Sequence, residues 1–332
     1  MIMYTLLKDI MCTPSISGRE NTVADKLEKY ITPYVDECYK DALGNLIAVK
    51  KGSGNDNKKI MLCAHMDEIG FLVTYIEESG YIRTAPVGGI NYIAASFSEV
   101  VSENGVRGVL VPEAGTSAAD INGEKTCIDI GAKNRKEAER KVKIGDFFVV
   151  APYAKRMMGN RVYGRPFDDR VGCAIMIELA KKCVTPKNDL YFVFSVQEEV
   201  GCRGSKPSAF AIAPDYAIAF DVTATGDAPG AKPMAVKLGD GAAIKIKDAS
   251  VICDGDTVNK LTELAKENKI KHQHEILKFG GTDTSSMQVA GSGCRAAALS
   301  IPSRYIHSGV EVIDLSDAEA CVDLAAAFVE AI

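Results

Sequence analysis

A chain of 332 residues, 47% hydrophobic and 25% charged, has ordinary globular composition, with material for a sizeable core and length for two domains. Its net charge of -5, from 44 acids and 39 bases, argues against an electrostatic grip on nucleic acid or anionic lipid. The longest apolar runs are strand-sized, short of the ~20 residues of a membrane span.

The N-terminal stretch MIMYTLLKDIMC lacks the basic start, apolar run and cleavage site of a signal peptide. Ten cysteines are scattered singly, Cys12, Cys38, Cys63, Cys127 and Cys173 among them, and no CxxC pair occurs. Buried free thiols in a reducing, cytoplasmic setting are expected.

Along the chain, residues 3–11 read as a short amphipathic helix. Ser17 and Glu20 have capping-box spacing ahead of a helix running to about Tyr30. Residues 46–49 and 60–64 are apolar runs typical of buried strands. From about Phe71 to Ala154 the helical period disappears. Short alternating segments such as FLVTYI, VRGVLV and DFFVVA take over, with turn signals at Gly88-Gly89 and Asn104-Gly105. One helical stretch near 134–141 interrupts them. This region predicts a small all-β barrel or sandwich inserted into an α/β domain. The α/β pattern then resumes: a helix over 170–183, strands over 190–196 and 216–222, a helix over 255–268, a strand over 296–301 and a helix over 316–331.

Chemistry gathers just past the apolar strands, where open α/β sheets place ligands. Histidine is scarce, with four in the chain. His65 follows IMLCA, with Asp67 two residues on as a possible partner for its second ring nitrogen. Glu198 and Glu199 follow FVFSVQ. Adjacent residues at a strand end diverge, so one can bind metal while the other faces substrate. Asp221 ends YAIAFDV, Asp168 and Asp169 lie in GRPFDDR, and His307 lies in PSRYIHSG. Each alone is consistent with a turn, a helix cap or a surface side chain. Together they form a mixed nitrogen and oxygen set suited to zinc, cobalt or manganese, without thiolates.

The stretches HMDEIGFLV (65–73), GRPFDDRVGC (164–173), VQEEVGCRGS (196–205), AFDVT (219–223), GGTDTS (280–285) and IPSRYIHSGVE (301–311) occur in order along essentially the whole chain. In these the sequence resembles the tetrahedral aminopeptidase family, which includes glutamyl and deblocking aminopeptidases and proteins labelled cellulase M. The resemblance implies a mixed-sheet, zinc-aminopeptidase-like catalytic domain (1–70 and 155–332) and a β domain (71–154) used in oligomerisation. It implies two divalent ions per subunit: Asp168 bridging, His65 and Asp221 on one, Glu199 and His307 on the other. Asp67 would orient His65, and Glu198 would be the general base. It further implies a cis Asp168–Asp169 bond, short peptide substrates and a dodecamer built from dimers. Asn is expected in relatives at position 169.

Two other classes fit the residues less well. A glycoside hydrolase needs two carboxyls about 5–9 Å apart, and leaves histidines at strand ends without a task. The chain also has no tryptophan for sugar stacking. A non-catalytic metal-binding scaffold has no use for a base at Glu198. His272 and His274, on a polar segment, could chelate as His-x-His, but a surface or substrate-pocket role is the stronger expectation. Neutral N-terminal residues such as Leu are the expected preference, with Lys278 and Arg304 as cations able to reverse it.

Overall fold

The computed structural model describes residues 2–55 and 57–332. Its centre is a mixed sheet of eleven strands. Four of them are parallel neighbours, in the order Asp189–Ser195, Lys59–His65, Tyr216–Thr223 and Arg295–Arg304. Their sequences are near-continuous apolar runs, as sheets covered on both faces require. Antiparallel strands extend the sheet on either side, from Glu37–Lys40 and Leu46–Lys50 at one edge to Glu311–Asp314, Arg161–Arg165 and Tyr153–Arg156 at the other.

Helices Ile2–Met11, Asn21–Ile31, Arg170–Lys182, Gly255–Glu267 and Leu315–Ala331 contribute to the larger apolar core against the sheet. A separate closed barrel contains six strands between Gly70 and Val150, ordered Gly70–Ile76, Ile82–Val87, Thr126–Asp129, Arg107–Pro112, Glu99–Ser102 and Phe147–Val150. Phe71, Val73, Ile82, Val100, Leu110, Ile128 and Phe148 fill it. Closure removes the exposed edges that an open sheet of short strands would leave.

Several local expectations change. The capping box does not form: the helix starts at Asn21 with no side-chain cap. Ser17 Oγ instead donates to Asp67 Oδ2 at 2.6 Å, and Glu20 Oε1 accepts from the N–H groups of Gly18 and Gln197. Long-range partners, the Asp67 carboxylate for Ser17 and the Gln197 N–H for Glu20, take the place of the local cap. The helix expected over 134–141 is a single turn, Arg135–Ala138, capped by Asn134. His272–Ile276 is a strand, pairing in parallel with Ala242–Lys247. All ten cysteines are free, but only six are buried and Cys12 is exposed. Among the described residues, no helix is long and apolar enough to cross a membrane.

Candidate active site

Parallel strands bring their C-terminal ends to one edge, and the register sets the chemistry there. Ser195 lies beside His65, and Asp221 lies beside Ser300. His65, only 2% exposed, directs Nε2 to Asp168 Oδ1 at 3.1 Å and lies 3.9 Å from both Glu198 Oε2 and Asp221 Oδ1. His307 reaches in from the loop after Arg295–Arg304. Its Nε2 lies 3.2 Å from both Asp168 Oδ2 and Glu199 Oε2. Two triads result, His65–Asp168–Asp221 and Asp168–Glu199–His307, each with ligand atoms within 4.8 Å of one another. Asp168 belongs to both, one oxygen to each.

Surrounding groups fix these side chains. Glu311 Oε2 accepts the N–H groups of Phe167 and Asp168 at 2.6 and 3.2 Å. Asp169 caps the helix Arg170–Lys182 by accepting from Gly172 N–H. The Asp168–Asp169 peptide is cis. Buried Arg170 donates to the carbonyls of Ile10, Thr13 and Met66, tying the N-terminal segment beneath His65. From the barrel, the Gly88–Gly89 turn closes over Glu199 and His307. A Cβ on Gly88, whose φ is +76°, would lie 3.2 Å from the Glu199 side chain.

Asp67 touches both His65 and the glutamate loop. The nearer partner of His65 Nδ1 is the Asp67 main-chain carbonyl, at 3.0 Å, with the carboxylate at 3.5 Å. The Asp67 carboxylate accepts the N–H groups of Glu198 and Glu199 at 3.0 and 3.2 Å. It therefore sets the backbone of the glutamate loop.

Electrostatics show a site short of positive charge. Burial pushes the Glu198, Glu199 and Asp221 carboxyls up, with neighbouring carboxylates adding to it. Burial opposes ionisation of Asp168 too, but hydrogen bonds from His307 and His65 hold it below the usual carboxylate range. Burial lowers His307, yet its contacts with Asp168 and Glu199 outweigh this and bring it to about 11. Four carboxyls facing two imidazoles gather more negative charge than these side chains neutralise. Nitrogen and oxygen donors with one carboxylate common to both triads fit divalent cations.

The site opens into a cavity of about 1110 Å³, whose lining includes Glu198, Glu199, Asp221, His307, Leu277 and Phe279. His272 and His274 are not among the residues lining it; His274 Nε2 meets Thr262 Oγ1 at 3.0 Å. Lys278 does not line it either. Arg304 does, but is engaged by Asp227 through Nε and Nη2, at 3.2 and 2.6 Å.

Sequence reasoning left Asn45 unremarked, read Glu20 only as a helix-cap partner and gave Glu311 no task within its motif; all three are buried polar residues that hold the backbone of the site. The partners through which they hold the site, Val196, Gln197, Phe167 and Asp168, are distant in sequence, so no local pattern announces the role. Asp283 lay within a quoted motif without an assigned task.

Comparison with known proteins identifies the family. The profile of the M42 glutamyl aminopeptidase family matches residues 44–324. A putative aminopeptidase of Acetivibrio thermocellus is 45% identical over 323 residues, covering 97% of each chain. An aminopeptidase structure from the archaeon Desulfurococcus kamchatkensis superposes with a TM-score of 0.96 at 34% identity, over 100% of this chain and 95% of that one. The TET1 peptidase of Pyrococcus horikoshii gives a TM-score of 0.89 at 35% identity, over 99% of this chain and 100% of that one. The chain belongs to the M42 glutamyl aminopeptidase family and is a metallo-aminopeptidase, a hydrolase of peptide bonds.

Proposed function

We propose that the enzyme removes N-terminal residues from short peptides with two divalent ions per subunit, His65 and Asp221 on one, Glu199 and His307 on the other, and Asp168 bridging. The observation that carries this reading is the pair of triads sharing Asp168. Bound ions, whether zinc, cobalt or manganese, would polarise the scissile carbonyl and lower the pKa of an attacking water.

Glu198 is the general base. Its Oε1 is occupied by the Cys202 thiol, which donates at 3.2 Å, while Oε2 faces His65 across the site. Oε2 is therefore the atom placed to take a proton from water and return it to the leaving amine. Burial raises its affinity for that proton. Asp67 keeps the base in place through the Glu198 and Glu199 N–H groups and acts on His65 through Nδ1. Asp169, where Asn was expected, contributes its cap and a 3.3 Å contact to His65 N–H rather than a ligand atom.

Cavity walls at Leu277, Phe279 and Val289, with Arg304 engaged by Asp227, support a preference for neutral N-terminal side chains, against the pull of Arg203 and Lys206, which also line the cavity. The test is a library of aminoacyl-p-nitroanilides, assayed with each metal and with a chelator. Leu should exceed Glu and Asp, and the chelator should abolish turnover. Activity that survives exhaustive chelation contradicts the reading.

Assembly is part of the proposal. The TET1 peptidase of Pyrococcus horikoshii can assemble into a tetrahedron or an octahedral shell. Here the 71–154 region carries exposed Ile93 and Phe97, 56% and 72% accessible, which supports its use as a contact in a dodecamer built from dimers. Light scattering showing only monomer at micromolar concentration contradicts this. The free thiols support a reducing compartment, the cytoplasm, and no nucleic-acid or membrane partner is proposed.

A further inference from the structure

The segment between Ser195 and Ser205 carries both glutamates, and its two ends are tied to one carboxylate that no step above uses. Ser195 ends the strand Asp189–Ser195, and Ser205 begins the helix Ser205–Ile212. Ser195 Oγ donates to Oδ2 of Asp283, and Ser205 Oγ donates to Oδ1 at 2.5 Å. Asp283 opens the helix Asp283–Gln288 and is 3% exposed. Its partners lie 88 and 78 residues away in sequence. The Cys63 thiol adds a third donor, to Oδ2 at 3.4 Å.

One residue further along each arm, Asn45 repeats the arrangement. Its Oδ1 accepts Val196 N–H at 2.9 Å, and its Nδ2 donates to the Gly204 carbonyl at 3.0 Å. Gly204 N–H meets the Val196 carbonyl at 3.0 Å. A Cβ on Gly204 would lie 2.3 Å from Asn45 Oδ1, so the arms close only around glycine.

Between these ties the loop forms a turn of its own, with the Gly201 and Cys202 N–H groups on the Glu198 carbonyl at 2.8 and 2.9 Å. Gln197 and Cys202 stand at φ +58° and +51°, in the left-handed region that non-glycine residues rarely adopt. The position of Glu198 is therefore imposed by the ties at the ends of the loop together with Asp67, which accepts the Glu198 and Glu199 N–H groups. A buried carboxylate is expensive unless hydrogen-bonded, and bonds to an ionised acceptor are about twice as strong as neutral ones. Asp283 spends both oxygens on the two arms of one loop.

We propose that Asp283 is a positioning residue for hydrolysis, closing the base of the Ser195–Ser205 loop and thereby holding Glu198 in register with the substrate. This inference rests on the assignment of Glu198 as the base. A displacement of about 1 Å at a reacting group costs on the order of 10²-fold in rate.

The experiment compares Asp283→Ala, Asp283→Asn, the double variant Ser195→Ala/Ser205→Ala and the triple combination in the full-length, metal-loaded enzyme. Asp283→Ala and the serine double variant should each lower kcat by roughly 10- to 100-fold, with KM and metal content unchanged. The triple variant should lose no more than the double. Asp283→Asn should recover most activity, because the hydroxyls can turn to the carbonyls of Ala64 and Cys202, each 3.3 Å away. Hydrogen exchange over 196–204 should quicken in the alanine variants with or without added metal.

A wild-type kcat in the serine double variant overturns the proposal. So does a triple-variant loss equal to the product of the separate losses, or one that tracks metal content. Should Asp283→Ala fail to fold, the serine pair, which loses only two hydroxyls, carries the test. If Glu198→Gln is as active as wild type, the base assignment fails instead. The exchange measurement still reports whether the loop is clamped.

Discussion

Inside the barrel the buried polar side chains among the described residues are Thr84, Ser102 and Thr126, all neutral. At the C-terminal edge of the four parallel strands, His65, Asp67, Asp168, Asp169, Asp221 and Asp283 are all buried, within one site and its immediate support. Both regions are well packed, but only one of them buries charge. A buried charge costs several kcal/mol unless paired or bound to a cation. The difference teaches that the barrel is optimised for closure, while the strand edge gives up stability to concentrate histidines and carboxylates.

The sharpest way to break this comparison is at Glu199, which offers a ligand atom to one triad alone. Glu199→Gln should lower activity by roughly 10²-fold or more at stoichiometric metal, as loss of a metal-dependent step implies. Activity should partly return at high metal concentration. Titration of the variant with zinc or cobalt checks this, and no change in metal dependence would count against the ligand role.

The barrel should respond in the opposite way. Leu110 is fully buried in its core. Leu110→Ala should destabilise by about 2–5 kcal/mol, seen as a lowered Tm, while kcat per folded enzyme stays within about twofold. A large fall in kcat at 25 °C, with the protein still folded, would merge the two regions into one functional unit.

The smallest effect concerns a buried carboxyl away from the reacting centre. Asp317, in the helix Leu315–Ala331, accepts the N–H groups of Gly239 and Gly241, each at 2.7 Å. Burial nevertheless pushes its pKa up from 3.8 to about 7. A carboxyl raised in the folded state binds its proton more tightly there, so it adds stability below about pH 4 that is lost as pH rises toward 7. Asp317→Asn removes this dependence. The Tm of the variant relative to wild type should therefore climb between pH 4 and 7, and a flat difference would show that Asp317 does not titrate in that window.

Much of the architecture was legible because its signals are local. The apolar runs at 60–64 and 216–222 mark the strands that end at His65 and Thr223, and the loss of helical period past Phe71 marks the barrel. What could not be read depends on residues meeting from afar. Ser17 and Glu20 match a local cap, yet their oxygens are claimed by Asp67 and the Gln197 backbone. Asn45, an unremarked residue after a turn, reaches Val196 and Gly204. Tyr153–Arg156, at the end of the β-rich stretch, joins the large sheet through Arg161–Arg165 rather than the barrel. Histidines and acids after strands announce themselves by type; the groups that hold them in place do not.

The central claim is that Glu198 moves the proton while Glu199 holds metal, although they are neighbours in sequence. Metal content and kcat of Glu198→Gln, measured on the same sample, test it most directly. The substitution keeps an oxygen acceptor for the Cys202 thiol but removes basicity. Two ions per subunit, an unchanged assembly and a kcat lowered by roughly 10²–10⁴-fold are the predicted result. Loss of metal from Glu198→Gln, or turnover equal to wild type, would contradict the account.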